Sequence, residues 1–175
     1  GFLVGAVIFT LGSVALKRFG AESVEAVDNS PEAIATARRL FSAKGVRHQV
    51  ADAASVADLF GEGEFDLIVS LETIEHLQEP ERFLQGLRKV AKKDAVIIVS
   101  CPNDNWYYPA TDQGNPFHVR KFTFEEFREL TAKVLGPGAV WAYGVPMVGF
   151  GNVTEHQISR GIRALAKAVR RHATP

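Results

Sequence analysis

A single cysteine, Cys101, is present among the 175 residues, so an internal disulfide is excluded. Small secreted domains commonly depend on disulfides, whereas reducing compartments keep thiols free. The sequence therefore predicts a cytoplasmic protein. Low-complexity tracts, internal repeats and linker-like segments are also absent from the sequence, which favours one domain over residues 1–175.

An excess of charge of either sign is lacking as well, because 20 Lys and Arg balance 20 Asp and Glu. Without a net positive field, the chain has no general attraction for RNA, DNA or anionic lipid, although a local basic patch is not excluded. The one long apolar segment, residues 2–16, is about 15 residues long, shorter than the roughly 20 that a spanning helix needs. It is better interpreted as a buried strand with a turn, so no membrane span is predicted.

Apolar runs alternate with amphipathic segments along the chain. Strands are predicted at residues 2–9, 23–28, 46–52, 65–70, 95–100, 139–143 and 145–153. Helices are predicted at residues 14–19, 31–45 and 55–60, the second of them capped by Ser30 with Pro31 at its first position. Further helices are predicted from Pro80 to the pair Lys92 and Lys93, after the capping box of Thr123 and Glu126, and after Thr154. This alternation predicts an α/β fold, a doubly wound and mostly parallel sheet with helices on both faces.

The predicted site follows the strand at residues 65–70, whose sequence FDLIVS suits a strand buried on both faces. Glu72, Glu75 and His76 come directly after it. In open α/β sheets, ligands bind outside the carboxyl ends of the strands. Polar residues at this point of the chain therefore indicate a functional site.

Two aspartates end the preceding strands. Asp28 ends the second strand, where an acid can accept hydrogen bonds from ribose hydroxyls, and Asp52 ends the third, where a carboxylate can accept from an adenine amino group. Each aspartate on its own is equally well explained as a cap of the following turn. Together, at two successive strand ends, they favour a nucleoside ligand.

A divalent metal is a second candidate ligand. If Glu72, Glu75 and His76 form a helical turn, their spacing of three and four places them on one face, and His118 lies across the predicted cleft. Such carboxylate and imidazole groups suit Mg²⁺, Mn²⁺ or Zn²⁺. The alternative is structural: Glu75 forms a cap or salt bridge, and His76 bonds to the backbone.

Residues 101–122 form a long segment without periodicity but with many aromatics. Trp106, Tyr107, Tyr108 and Phe117 suit either the wall of an acceptor pocket or a lid packed on the core. His118 is the first candidate for a general base, since histidine exchanges protons near neutral pH. Glu72 is the second candidate catalytic residue.

The runs AESVEAVDNSPEAIATARRL, VADA, FDLIVSLETIEHLQEPERFLQGLRKVAKKDAVIIVSCPN and HVRKFTFEEFREL resemble class I S-adenosylmethionine-dependent methyltransferases over about residues 20–135. The resemblance implies a three-layer, Rossmann-like, seven-stranded sheet with strand seven antiparallel, and S-adenosyl-L-methionine as cofactor. It assigns Asp28 to the ribose, Asn29, Asp52 and Ala53 to the adenine, and Leu71 to the end of the methionine-side strand. Gly5 and Gly12 are its only candidates for the glycine loop, because no G-x-G-x-G triplet is present.

The expected activity is methyl transfer to a hydroxyl or amine of a small molecule or glycan. The Glu-x-x-Glu-His pattern with a later His is also similar to small-RNA 3′-end 2′-O-methyltransferases, which implies a metal-assisted RNA 2′-O-methyltransferase as the alternative. A third interpretation is a binding or scaffold domain of methyltransferase fold that has lost its activity with its glycine loop.

Overall fold

The computed structural model describes residues 20–102 and 116–136, which form two compact units that divide between Phe60 and Gly61. Several predictions concern residues outside these ranges. They are Gly5 and Gly12, the aromatic residues Trp106, Tyr107 and Tyr108, the strand at residues 2–9, the helix at residues 14–19, and the strands and helix after residue 136. A single domain over the whole chain stays a prediction.

The first unit is a β-α-β arrangement with parallel strands. Strand β1 (Val24–Asp28) leads into helix α1 (Pro31–Leu40), which returns the chain to strand β2 (Val46–Val50). Val24 lies opposite Val46 and Asp28 opposite Val50, so both strands end at the same edge. A 3-10 turn (Ala53–Ser55) and the short helix α2 (Val56–Leu59) follow.

Local signals determine where α1 begins. The hydroxyl of Ser30 accepts a hydrogen bond from the Ala33 amide at 3.1 Å, and Pro31 occupies the first helical position, as predicted. The predicted end at Gly45 is wrong, because α1 ends at Leu40. Gly45 instead lies in the turn before β2 with a φ of 82°, a left-handed conformation that glycine adopts without strain.

His48 of β2 is the one buried polar residue reported among the described residues of the first unit. Its side chain is 6% exposed, and its Nε2 has no hydrogen-bond partner in the described structure. The backbone carbonyl of His48 accepts two hydrogen bonds from the Arg38 guanidinium, at 2.6 and 3.2 Å. Burial lowers the pKa of His48, and the charge of Arg38 lowers it further.

The second unit also contains a parallel strand pair. Strands β3 (Phe65–Leu71) and β4 (Ala91–Ser100) pair so that Leu71 lies opposite Ser100, with an irregularity between Phe65 and Leu67. Helix α3 (Pro80–Val90) connects them, and a 3-10 turn (Ile74–His76) precedes α3. Helix α3 buries the apolar side chains of Phe83, Leu84, Leu87 and Val90.

The boundary between α3 and β4 differs from the prediction. Strand β4 begins at Ala91, so Lys92 and Lys93 belong to a strand and not to the end of a helix. The Lys92 ammonium lies 2.8 Å from both carboxylate oxygens of Asp66 on β3. The charge of Lys92 is therefore paired with an aspartate on the neighbouring strand and does not lie at the end of a helix.

Helix α4 (Phe124–Leu135) begins with the predicted capping box. The Thr123 hydroxyl accepts from the Glu126 amide at 3.2 Å, and the Glu126 carboxylate accepts from the Thr123 amide at 2.8 Å. The Glu126 carboxylate accepts from the Thr123 hydroxyl as well, and the hydrogen bonds that it accepts from the Thr123 amide and hydroxyl lower the pKa of Glu126. The box fixes the end of the segment that carries His118.

The described residues confirm the α/β class and the parallel strands. Within these residues, no helix is long and apolar enough to cross a membrane.

We expect His48 to make the protein sensitive to acid. The unfolded chain takes up a proton on this histidine at the ordinary pKa, whereas the folded chain does so only at lower pH. Between the two pKa values the unfolded state binds more protons, so the free energy of unfolding falls as the pH falls below about 6.5. Chemical denaturation at about pH 7.5 and about pH 5.5 checks this for the wild type and His48→Leu, and the variant loses less stability on acidification.

Val24→Ala is the control, because it removes apolar volume from the same unit and no titratable group. It should lower stability at both pH values and keep the wild-type dependence on pH. A His48→Leu variant that loses as much stability as the wild type on acidification contradicts the prediction.

Candidate functional site

Asp28 is at the carboxyl end of β1, and its side chain caps the chain that follows. Its Oδ1 accepts a hydrogen bond from the Ser30 amide at 2.8 Å. Oδ2 has no hydrogen-bond partner in the described structure. Asp28 is half-buried, and the neighbouring Asn29 is exposed. The capping interpretation is therefore confirmed for one oxygen, while the second remains able to accept from a ligand.

Asp52 has the same arrangement after β2. Its Oδ1 accepts from the Ala54 amide at 2.9 Å and caps the 3-10 turn that begins at the half-buried Ala53. The backbone connects the two strand ends, because the Ala51 amide donates to the Asp28 carbonyl at 3.0 Å. Both aspartates thus lie at one edge of a parallel strand pair, each with one carboxylate oxygen engaged by the backbone.

In the second unit, β3 ends at the exposed Leu71 and is followed by Glu72, whose φ is 52°. Glu72 is the only non-glycine residue with positive φ in the described ranges, and such a conformation costs on the order of 1–3 kcal/mol. Ser100, at the end of β4, contacts it closely. The Glu72 amide lies 3.2 Å from the Ser100 carbonyl and 3.3 Å from the Ser100 Oγ, and Oγ donates to Glu72 Oε1 at 2.7 Å.

Glu75 and His76 lie on the 3-10 turn that follows. The Glu75 side chain is buried, with the residue only 1% exposed, whereas His76 is exposed. Two hydrogen bonds hold the segment before α4 against this turn: the Arg120 amide donates to the Glu75 carbonyl at 3.1 Å, and His76 Nδ1 lies 2.8 Å from the Phe117 carbonyl oxygen. The His118 ring then packs edge-on against His76, with centroids 4.9 Å apart.

The contact with Phe117 determines the tautomer of His76. A carbonyl oxygen can only accept, so Nδ1 must carry the proton, and in the neutral ring Nε2 has a lone pair. This Nε2 lies 3.7 Å from Glu75 Oε1. An imidazole lone pair and a carboxylate oxygen are thus close together, which is an arrangement that a metal cation stabilises.

Glu75, His76 and His118 each offer one ligand atom, and these atoms lie within 4.8 Å of one another. Three of the four predicted metal ligands are therefore together. Glu72 is not in this group, and the prediction that it shares a helical face with Glu75 and His76 is wrong. Its left-handed backbone precedes the 3-10 turn, and its carboxylate bonds to Ser100.

Apolar side chains flank His118. Phe117 is 59% exposed and Val119 is 50% exposed, so two apolar side chains next to a candidate base face outwards in the described structure. A shallow pocket of about 650 Å³ lies elsewhere in this unit, at the amino ends of β3 and β4, where Arg88, Lys89 and Lys93 line it. None of the predicted site residues lines that pocket.

Ser100 is the site residue that the sequence analysis missed. A serine at the end of a strand is a weak signal in sequence, since its contact with Glu72 depends on the pairing of β3 with β4. The available signal was its position as the last residue of the fifth predicted strand, at the same edge as Glu72.

Comparison with known proteins identifies relatives of the chain. Residues 8–99, more than half of the chain, match the family model of the methyltransferase domain. Ajmaline N-methyltransferase of Rauvolfia serpentina is 36% identical over 75 residues, which are 42% of this chain and 26% of that protein. A probable S-adenosylmethionine-dependent methyltransferase of Mycobacterium tuberculosis is 30% identical over 112 residues, 63% of this chain and 39% of that protein.

Solved structures agree in fold. An S-adenosylmethionine-dependent methyltransferase from Mesorhizobium loti superposes with a TM-score of 0.56 at 15% identity, over 89% of this chain and 77% of that one. At this identity the likeness shows a common fold. The chain spans less than half the length of both curated relatives named above.

The backbone at Glu72 can be tested with two substitutions that both remove the carboxylate. Glycine adopts a positive φ without strain, whereas alanine retains the Cβ that disfavours it. We expect Glu72→Gly to be more stable than Glu72→Ala by about 1 kcal/mol in chemical denaturation. Equal stability of the two variants would show that residue 72 does not keep a left-handed backbone.

Proposed function

The chain belongs to the class I S-adenosylmethionine-dependent methyltransferase family, and from this premise we propose that it takes part in methyl transfer to an amine of a small molecule. The family also leads us to infer a complete seven-stranded, Rossmann-like sheet. The main structural support for the proposal is the pair of aspartates at adjacent strand ends, because each keeps one carboxylate oxygen available while the other caps a turn.

The first unit suits the nucleoside part of the cofactor. Asp28 would accept from a ribose hydroxyl, and Asp52 would accept from the adenine amino group, with Asn29 and Ala53 beside them. The half-buried setting of Asp28 supports this role, since a partly dry carboxylate interacts more strongly with a hydroxyl than a fully hydrated one. Gly5, Gly12 and Leu71 remain proposed cofactor contacts.

The second unit suits the acceptor. When bound, S-adenosylmethionine supplies a methyl group on a positively charged sulfur. The acceptor nitrogen must present a lone pair to that methyl group, so a protonated amine must first lose its proton. His118 is the proposed base, supported by its half-exposed side chain and by the hydrogen bond that holds its segment against His76.

An amine is favoured over a hydroxyl or a glycan for two reasons. The similarity to ajmaline N-methyltransferase supports nitrogen as the methylated atom. The exposed Phe117 and Val119 beside His118 support an acceptor with an apolar body, whereas a glycan would present mostly hydroxyl groups.

A second candidate function is metal-assisted methyl transfer to an RNA 2′-hydroxyl, which the cluster of Glu75, His76 and His118 favours. One carboxylate and two imidazoles suit Zn²⁺ or Mn²⁺ better than Mg²⁺, which prefers oxygen ligands. The Phe117 carbonyl would orient the His76 ring by accepting a hydrogen bond from Nδ1, as is usual for a histidine that binds a metal through its other ring nitrogen. In this case His118 would be a metal ligand and not the base, and the metal would supply a site for the hydroxyl groups of the acceptor.

The proposed nucleoside contacts predict binding of S-adenosylhomocysteine, the cofactor product, which calorimetry can measure. Asp28→Asn should keep the turn, because asparagine caps as well as aspartate. It removes the charge that the ribose hydroxyl would bond, so we expect affinity to fall about tenfold or more. Asp58→Asn, at an exposed position of α2, is the matched control and should bind like the wild type.

Absence of binding to the wild type would contradict the proposed function and favour a scaffold domain that has lost the cofactor. If the wild type and Asp28→Asn bind S-adenosylhomocysteine equally tightly, the proposed methyl transfer still stands, but Asp28 does not bind the ribose.

Titration with Zn²⁺ and Mn²⁺ tests the second candidate. If the cluster binds a metal, Glu75→Gln and His118→Gln should each weaken binding at least tenfold, since ligand charge or number is lost. Glu72→Gln is the matched control, because Glu72 lies outside the cluster, and it should bind metal like the wild type. No metal binding by the wild type would contradict the metal-assisted function and leave His118 as the base.

A further inference from the structure

We infer that Ser100 is a positioning residue that holds the Glu72 carboxylate at the carboxyl ends of β3 and β4, where it binds the ammonium group of the acceptor. The inference rests on the proposed function and narrows its substrate class to amines that are bound as cations. It depends on contacts within the second unit alone.

Ser100 contacts both the backbone and the side chain of Glu72. Its carbonyl and its Oγ both lie within hydrogen-bond distance of the Glu72 amide, at 3.2 and 3.3 Å. The hydroxyl proton is directed to Glu72 Oε1 at 2.7 Å, the distance of a strong hydrogen bond to a carboxylate. One serine thus fixes where the chain turns after β3 and where the carboxylate points.

The conformation of Glu72 indicates that its side chain has a role beyond folding. A glycine or asparagine would adopt a φ of 52° more easily than a glutamate, so stability does not explain the residue type. Non-glycine residues in left-handed conformations are concentrated at functional sites, where neighbouring groups hold them. Here Ser100 is the neighbour that holds the residue.

The Glu72 carboxylate is exposed, and only one of its two oxygens accepts a hydrogen bond in the described structure. Oε1 accepts from the Ser100 hydroxyl, and Oε2 has no hydrogen-bond partner in the described part of the chain. A fixed negative oxygen at a strand end attracts a cation and repels an anion. It can also accept a hydrogen bond from a neutral alcohol, but without the additional attraction between opposite charges. Because Ser100 orders the side chain before binding, less rotamer freedom is lost when an ammonium group binds.

Matched pairs of ligands test this charge preference without knowledge of the natural acceptor. Tryptamine and tryptophol share an indole ring, and phenethylamine and 2-phenylethanol share a phenyl ring. In each pair the first compound has an amine where the second has a hydroxyl. Calorimetric titrations should be made with and without saturating S-adenosylhomocysteine. We expect the wild type to bind each amine about tenfold tighter than its alcohol, the effect of one charged hydrogen bond.

The variants separate positioning from folding. Ser100→Ala should lose most of the amine preference, while affinity for the alcohols changes much less and affinity for S-adenosylhomocysteine is unchanged. Ser100→Thr, which keeps the hydroxyl and suits a strand, should restore the preference. Glu72→Gln should abolish it. Ser70→Ala is the control, since the Ser70 hydroxyl, on neighbouring β3, has no hydrogen-bond partner in the described structure.

Two outcomes would overturn the inference: a wild type that binds amines no better than alcohols, or a Ser100→Ala variant that keeps the full preference. Failure of the wild type to bind S-adenosylhomocysteine contradicts the proposed function instead. In that case, the titrations made without S-adenosylhomocysteine still measure whether the protein binds amines more tightly than alcohols.

Discussion

Parallel pairing of neighbouring strands is the constraint on which the candidate functional residues depend. Two parallel strands must end at the same edge, so the residues that follow them are brought together whatever their separation in sequence. In the first unit this places Asp28 and Asp52 at one edge, joined by the hydrogen bond from Ala51 to Asp28. In the second unit it places Glu72 next to Ser100.

The residues at these edges have structural roles that are compatible with their proposed functional roles. Asp28 and Asp52 each use one oxygen to cap a turn and keep the other available to a ligand. A cap of this kind also holds the carboxylate still, so capping is compatible with the proposed ligand binding. Glu72 differs, because its backbone is strained and its neighbour Ser100 holds its position.

Local sequence was sufficient to predict features that local hydrogen bonds form. The start of α1 at Ser30 and Pro31 and the capping box of Thr123 and Glu126 were both predicted, since each depends on residues within one helical turn. Features that depend on pairing between strands were not. Lys92 was placed at a helix end although it pairs with Asp66 on a neighbouring strand, and Ser100 was missed. The helical spacing of Glu72 failed because a left-handed residue breaks the period, whereas the other three predicted metal ligands, Glu75, His76 and His118, do lie together.

The central claim is that the edge formed by Asp28 and Asp52 binds the nucleoside of the cofactor. Amide NMR spectra recorded during titration with S-adenosylhomocysteine test it directly, because the Ser30 and Ala54 amides donate to these two carboxylates and the Ala51 amide donates to the Asp28 carbonyl. The account predicts saturable shifts at all three amides. Saturable binding that leaves all three unshifted would contradict it.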